Sequence, residues 1–183
     1  MAKALFVNKT EIAKFTAISG NLNDDKIIPF IEIAQDTHVF NYLGQQLFEK
    51  ISLGIINDNL EPDYVTLLTD LIKPMTIHWT LVEYLPFGAM QVTNGGVYKM
   101  NSEKGNAAER QDVDYLVEKS RTFAQSYTQK FIDYMIINYA KYPEYYLYTQ
   151  YGTQPAMTEV LCGNWYLGSE PNFIQNDAGP LKS

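Results

Sequence analysis

Residues 108–140 read AERQDVDYLVEKSRTFAQSYTQKFIDYMIINYA, with no proline or glycine among them. Val113, Leu116, Ser120, Phe123, Tyr127, Phe131, Tyr134 and Asn138 recur at helical spacing and trace one face. One helix is predicted from about Ala108 to Ala140, ended by Pro143. At 1.5 Å per residue it would be roughly 50 Å long. A globule of 183 residues rarely needs a helix of that length. The stretch therefore sets a helical fold class and points to an assembly scaffold.

The segments before it follow the same period. Asn8-Lys9-Thr10-Glu11 reads as a capping box for a short helix to about Thr16, with Ile12 and Phe15 on one side. A second helix starts near Asp24-Asp25, where acidic residues suit the helix dipole and Pro29 belongs in a first turn. Its stripe is Ile27, Ile31, Ala34 and His38, and Gly44 supplies a left-handed end. Leu47, Phe48, Ile51 and Ile55 follow on a short helix closed by Asn57-Asp58-Asn59. Pro62 opens a further helix whose stripe is Tyr64, Leu68, Leu71, Met75, Trp79, Val82 and Leu85. Pro74 predicts a kink or two nearly coaxial halves within it, and Pro86 and Gly88 predict its stop. Trp79 is predicted to be core.

Between the kinked helix and the long one the period changes. Val92-Thr93 and Val97-Tyr98 flank Asn94-Gly95, a strong signal for a two-residue hairpin turn near residues 90–100. Residues 101–105 read as exposed loop. After Pro143 the chain holds Tyr145, Tyr146, Tyr148 and Tyr151, then Pro155, Pro171 and Pro180 among glycines. Val160, Leu161, Trp165, Tyr166, Leu167 and Phe173 are too apolar for a solvated tail. The predicted architecture is all-α: a helical bundle with a long C-terminal helix, one small β-hairpin insertion and an extended C-terminal arm. Residues 1–151 form the helical unit and 152–183 the arm, which is expected to dock on another subunit.

Composition narrows the function classes. The net charge of −7 disfavours free-standing phosphate binding, and the two arginines, Arg110 and Arg121, form no basic cluster. The single cysteine, Cys162, excludes an internal disulfide framework and a Cys-rich zinc site. The stretch 84–98 lacks charge but holds Pro86, Gly88, Gly95 and Gly96, so it is no membrane span. The apolar run Ala4–Val7 is too short for a signal segment, and the expectation is a soluble intracellular chain. Gln35 and Met75 stand three residues before His38 and His78, where a di-iron bundle needs glutamates. Both histidines read as core residues. Gly95-Gly96 lacks the lysine of a P-loop, and Asn57, Asn59 and Glu61 lack the glycine and glutamate of a calcium loop. No catalytic, cofactor or metal site is expected, and the chain is read as no enzyme. Fourteen tyrosines without a basic groove suit protein contact better than base stacking.

The run Ala34…Tyr42-Leu43-Gly44-Gln45-Gln46-Leu47-Phe48, then Gly95-Gly96-Val97 with Ser102-Glu103, then Tyr142-Pro143, carries a resemblance. In this order of elements the chain resembles the head–tail connector (adaptor, or neck ring) proteins of tailed bacteriophages, with the flavour of the crAss-like gut phages. The resemblance implies a homo-oligomeric ring, commonly twelvefold, beneath the portal protein. It implies a virion location at the head–tail junction after assembly in the bacterial cytoplasm, with no membrane partner. Such a ring extends the DNA channel, lets packaged DNA pass without sequence-specific binding, and presents a surface to the next neck or tail protein. Candidate interface residues are Asn94, Gly95, Gly96, Val97 and Tyr98 of the hairpin, Tyr145, Tyr146 and Tyr148 after the long helix, and Trp165, Tyr166 and Phe173 of the arm. The rival reading is a cellular helical-bundle protein-binding module, monomeric or dimeric, with its arm folded on itself.

Overall fold

The computed structural model of the chain describes residues 4–18, 23–93, 96–99, 109–146 and 153–156. The fold is all-α in its main body. Helix α1 is Lys9–Phe15 and α2 is Asp24–Ala34. A π turn, Gln35–Val39, joins α2 to α3, Phe40–Ile56. Helix α4, Pro62–Leu67, passes through a second π turn, Leu68–Ile72, into α5, Lys73–Gly88. Two four-residue strands, β1 Met90–Thr93 and β2 Gly96–Lys99, pair antiparallel with Val92 opposite Val97. Helix α6, Arg110–Asn138, ends in a 3-10 turn, Tyr139–Lys141, and α7 is Pro143–Tyr146.

Local chemistry sets the first boundaries. Asn8 accepts from the Glu11 backbone N–H and the Glu11 carboxylate accepts from the Asn8 N–H, so the capping box forms. Glu11 also pairs with Lys73 of α5, which ties α1 to the bundle. Asn23 caps α2. Pro29 lies in the interior of α2, past the first turn expected for it. It sits on the exposed side, where water can reach the carbonyl that loses its partner. Helix α5 likewise runs two residues beyond Pro86 before it stops at Gly88.

Both π turns shift the buried stripe. Ile27, Ile31 and Ala34 face inward as expected. The extra residue of the first π turn then turns Gln35 and Val39 inward, while His38 moves to a half-buried edge. Gln35 is fully satisfied there: its Oε1 accepts from Phe6 N–H at 2.8 Å and its Nε2 donates to the Ala4 carbonyl at 3.0 Å. The second π turn stands just ahead of Pro74, so the irregularity predicted at that proline falls one turn earlier. It lets Leu67, Leu68, Leu71, Ile72 and Met75 all reach the core.

Helix α5 is central, with α6 packed on one side and α2 on another. The main core joins Leu43, Leu47, Leu67, Met75, Trp79, Ala124, Phe131 and Met135. A smaller core of Val7, Ile12, Ile27, Ile31, Ile77 and Leu81 lies under α1 and α2. The face that α6 buries is Ser120, Ala124, Thr128, Phe131, Ile132 and Met135. Leu116 and Phe123, placed on the inner stripe by spacing, are about half exposed instead. Small residues are needed opposite α5 because Trp79 fills the gap: its Nε1 donates to Thr128 Oγ1 at 3.1 Å.

The arm begins on the chain's own bundle. Gly44 breaks α3 with φ 72° and ψ 164°, a region essentially restricted to glycine. In an unbroken helix the Gln45 N–H would donate to the Asn41 carbonyl. Here Gln45 N–H donates to the Thr153 carbonyl at 3.0 Å, and Asn41 accepts from Ala156 N–H at 2.7 Å. The segment Thr153–Ala156 thus occupies an opened helical hydrogen bond. Between the two bonds lies Pro155, which has no N–H to satisfy. Its Cδ lies 2.8 Å from where a Cβ on Gly44 would stand. Docking of the whole arm on another subunit is therefore corrected at its root, and residues 157–183 lie outside the described residues.

Candidate interaction surface

The expected interface residues scatter. Asn94, Gly95, Tyr148, Trp165, Tyr166 and Phe173 lie outside the described residues. Gly96, Val97 and Tyr98 form β2 opposite Thr93, Val92 and Gln91. Tyr146 is the last residue of α7. Tyr145 is corrected: it is a core residue at 2% exposure, its ring edge-on to Phe131 at 6.0 Å. The reason is local. Pro143 starts a single helical turn that folds Tyr142 and Tyr145, three apart, back onto the bundle.

That turn builds a tyrosine cluster. Tyr64 donates to the Glu144 carboxylate, and Tyr142 donates to the Asp63 carbonyl at 3.2 Å. Tyr64 and Tyr142 meet edge to face at 5.3 Å. Burial raises both phenol pKa values above the usual tyrosine range, and the neighbouring Glu144 and Tyr134 add to the rise at Tyr64 and Tyr142 respectively. The folded chain therefore keeps phenol protons that the unfolded chain releases above about pH 10. The resulting stability is present below that pH and is lost as pH rises further through the folded range. Urea midpoints measured from pH 9 to 11 should fall, and the fall should be shallower in Tyr64→Phe. An equal slope would refute the assignment.

Two histidines lie at the borders of the core. His38 stacks on Trp79 at 3.9 Å, with its Nε2 2.8 Å from Glu83 Oε1. His78 stacks on Tyr127 at 5.3 Å, and burial lowers its pKa. Both act as packing residues. Among the described residues no group of three His, Cys, Asp or Glu could hold a metal ion. None of the described helices is long and apolar enough to cross a membrane.

The surface feature that spacing did not disclose is the outer side of α6. Tyr115, Leu116, Phe123, Ile136 and Ile137 are exposed along it, and Tyr139 follows in the 3-10 turn. Ile137 is 78% exposed. The adjacent pair Ile136-Ile137 is no signal by itself, since Phe131 and Ile132 on the same helix are both fully buried. The charged neighbours pair locally, Arg110 with Asp114 and Arg121 with Glu118, and Lys119 lies over the Tyr115 ring at 5.7 Å, while Leu116, Phe123, Ile136 and Ile137 stay half exposed or more in the single chain.

A family model described as "Family of unknown function (DUF6712)" matches residues 39–155. The match runs from the end of the first π turn through α6 and α7 to Pro155 of the docked segment. No curated protein and no solved structure matches the chain.

Proposed function

The chain belongs to the DUF6712 family, and we propose that this member is a structural ring protein of a tailed-phage neck, a head–tail connector. The observation that carries the reading is the outer side of α6. A helix of roughly 44 Å presents Leu116, Phe123, Ile136 and Ile137 to solvent in the single chain. Repetition of this helix around an axis would bury those groups against a neighbour. The resemblance supplies the partners: further copies of the chain, commonly twelve, the portal protein on one side and the next neck or tail protein on the other. The hairpin Met90–Lys99 then serves as a contact or channel-lining element. Net negative charge suits a wall past which packaged DNA slides. The protein acts in the virion at the head–tail junction and carries no chemistry of its own.

Negative-stain electron microscopy and native mass spectrometry of the purified chain, alone and with a portal protein, test this. Closed rings or a ring–portal complex are the expected result. Ile137→Glu should leave unfolding stability within about 0.5 kcal/mol and abolish the ring. A stable monomer that ignores the portal would overturn the reading. It would favour the second reading, a self-contained protein-binding module, which the docking of Thr153–Ala156 on its own bundle supports.

A further inference from the structure

We infer that the outer side of α6 seats on the outer side of α2 in a second copy of the chain, an inference that rests on the connector reading. The contact is then head to tail, between two different surfaces. Helix α5 holds those surfaces apart. Its Met75, Trp79 and Val82 join the main core with α6, and its Ile77 and Leu81 join the smaller core with α2. At about 100° per residue the two sets lie on opposite sides of the α5 axis. The outer sides of α2 and α6 therefore face away from one another. A contact between them runs from copy to copy, and a ring is its closed form.

The two surfaces match in spacing and in charge. Leu116, Phe123, Lys130 and Ile137 recur every seven residues, with Lys119 between the first two, a spacing suited to lying along another helix. All five are exposed. On α2 the exposed Asp25 and Ile28 and the half-buried Glu32 follow the same three-then-four spacing. Lys130 lies eleven residues after Lys119, and α2 has eleven residues, so both span about 16 Å. The acidic residues of α6 are engaged close by: Asp112 accepts from Glu109 N–H, Asp114 pairs with Arg110, Glu118 with Arg121, and Asp133 accepts from Gln129. Lys119 and Lys130 have no ion pair among the described residues, and Lys119 lies over the Tyr115 ring. On α2 Asp24 pairs with Lys9, while Asp25 and Glu32 have no ion pair among the described residues. Lys26 lies about a third of a turn off their line. Two cations flanking Phe123 thus answer two carboxylates flanking Ile28. Beside α2 the exposed Phe87, against Phe30 at 5.3 Å, extends the apolar part of the seat.

Charge reversal in the full-length chain tests this. One variant carries Lys119→Glu with Lys130→Glu, the other Asp25→Lys with Glu32→Lys, and circular dichroism checks that both are folded. By sedimentation velocity each alone should associate at least about tenfold more weakly than the wild type, because like charges are set against each other. An equimolar mixture of the two should regain association, since each then offers the face that the other needs. Should Asp25→Lys loosen the first turn of α2, Glu32→Lys alone takes its place. A mixture no better than its parts overturns the pairing. So does wild-type association by the α2 variant while Ile137→Glu abolishes it, a result that sets α6 against some other surface and leaves the connector reading standing. A wild-type chain that stays monomeric with and without a portal protein overturns both.

Discussion

Trp79→Ala is expected to lower unfolding free energy by about 3–5 kcal/mol. Trp79 is 6% exposed and touches three parts of the fold. On one side its ring stacks flat on His38 from the first π turn, at 3.9 Å and 7°. On the other its indole N–H reaches Thr128 of α6, and its own helix is the central one. Truncation would leave a void between α5 and α6 that neither helix can close, because each is held along its length by further core residues. Trp79→Phe separates packing from hydrogen bonding. It keeps a ring against His38 and loses the N–H. Thr128 Oγ1 still donates to the Ala124 carbonyl at 2.8 Å, so no buried hydroxyl is stranded. The Phe variant should therefore cost only about 1–2 kcal/mol. Urea denaturation followed by circular dichroism gives both values. A loss below about 1 kcal/mol for the Ala variant would mean that the α5–α6 interface repacks around the gap.

What the sequence disclosed and what it hid follow from the range of the forces involved. The capping box at Asn8 and Glu11 was legible because both partners lie within one turn. The positive φ of Gly44 was legible because only one residue type tolerates it. The π turns were not, because a 3.6-residue template assigns His38 the place that Val39 takes. The clue was faint, since Val39, Leu43 and Leu47 continue the four-residue spacing of Ile27 and Ile31 only through the polar Gln35. The orientation of α6 was legible only in part, for a different reason. Spacing alone places Leu116 and Phe123 beside the buried Ser120 and Phe131, whereas the buried face turns toward Ala124 and Thr128, a choice explained by Trp79 opposite. The inward turn of Tyr142 meets Asp63 and Tyr64, and that of Tyr145 meets Phe131, none of them within the same helical turn. No local pattern announces such a contact. The candidate surface on α6 was hidden with the orientation of its helix, and the function class could be argued only from element order.

Gly44→Ala should cost about 2–4 kcal/mol, the sum of two effects that can be taken apart. The first is backbone strain, since φ 72° with ψ 164° is a conformation that residues with a Cβ avoid. The core fixes that conformation: Leu43 on one side of the break and Leu47 on the other are both fully buried, so the two halves of α3 cannot realign. The second effect is a collision. An added Cβ would stand 2.8 Å from Pro155 Cδ, 2.9 Å from Pro155 N and 3.2 Å from the Thr153 carbonyl. Two of those three atoms belong to the backbone, so no side-chain rotation relieves the contact. The docked segment would have to lift off, and the hydrogen bonds of Gln45 and Asn41 to it would be exchanged for water. Truncation after Tyr151 removes the segment and with it the collision. Loss of the two hydrogen bonds to Gln45 and Asn41 should make that truncation cost about 1–3 kcal/mol. In the truncated chain Gly44→Ala should cost only the strain, about 1–3 kcal/mol. The double-mutant cycle measures the difference, which is the energy of the fit between Gly44 and Pro155. A coupling below about 0.5 kcal/mol would show that the arm rests on the break without depending on it. A coupling near the cost of the truncation itself would show that the bare glycine is what holds the root of the arm in place.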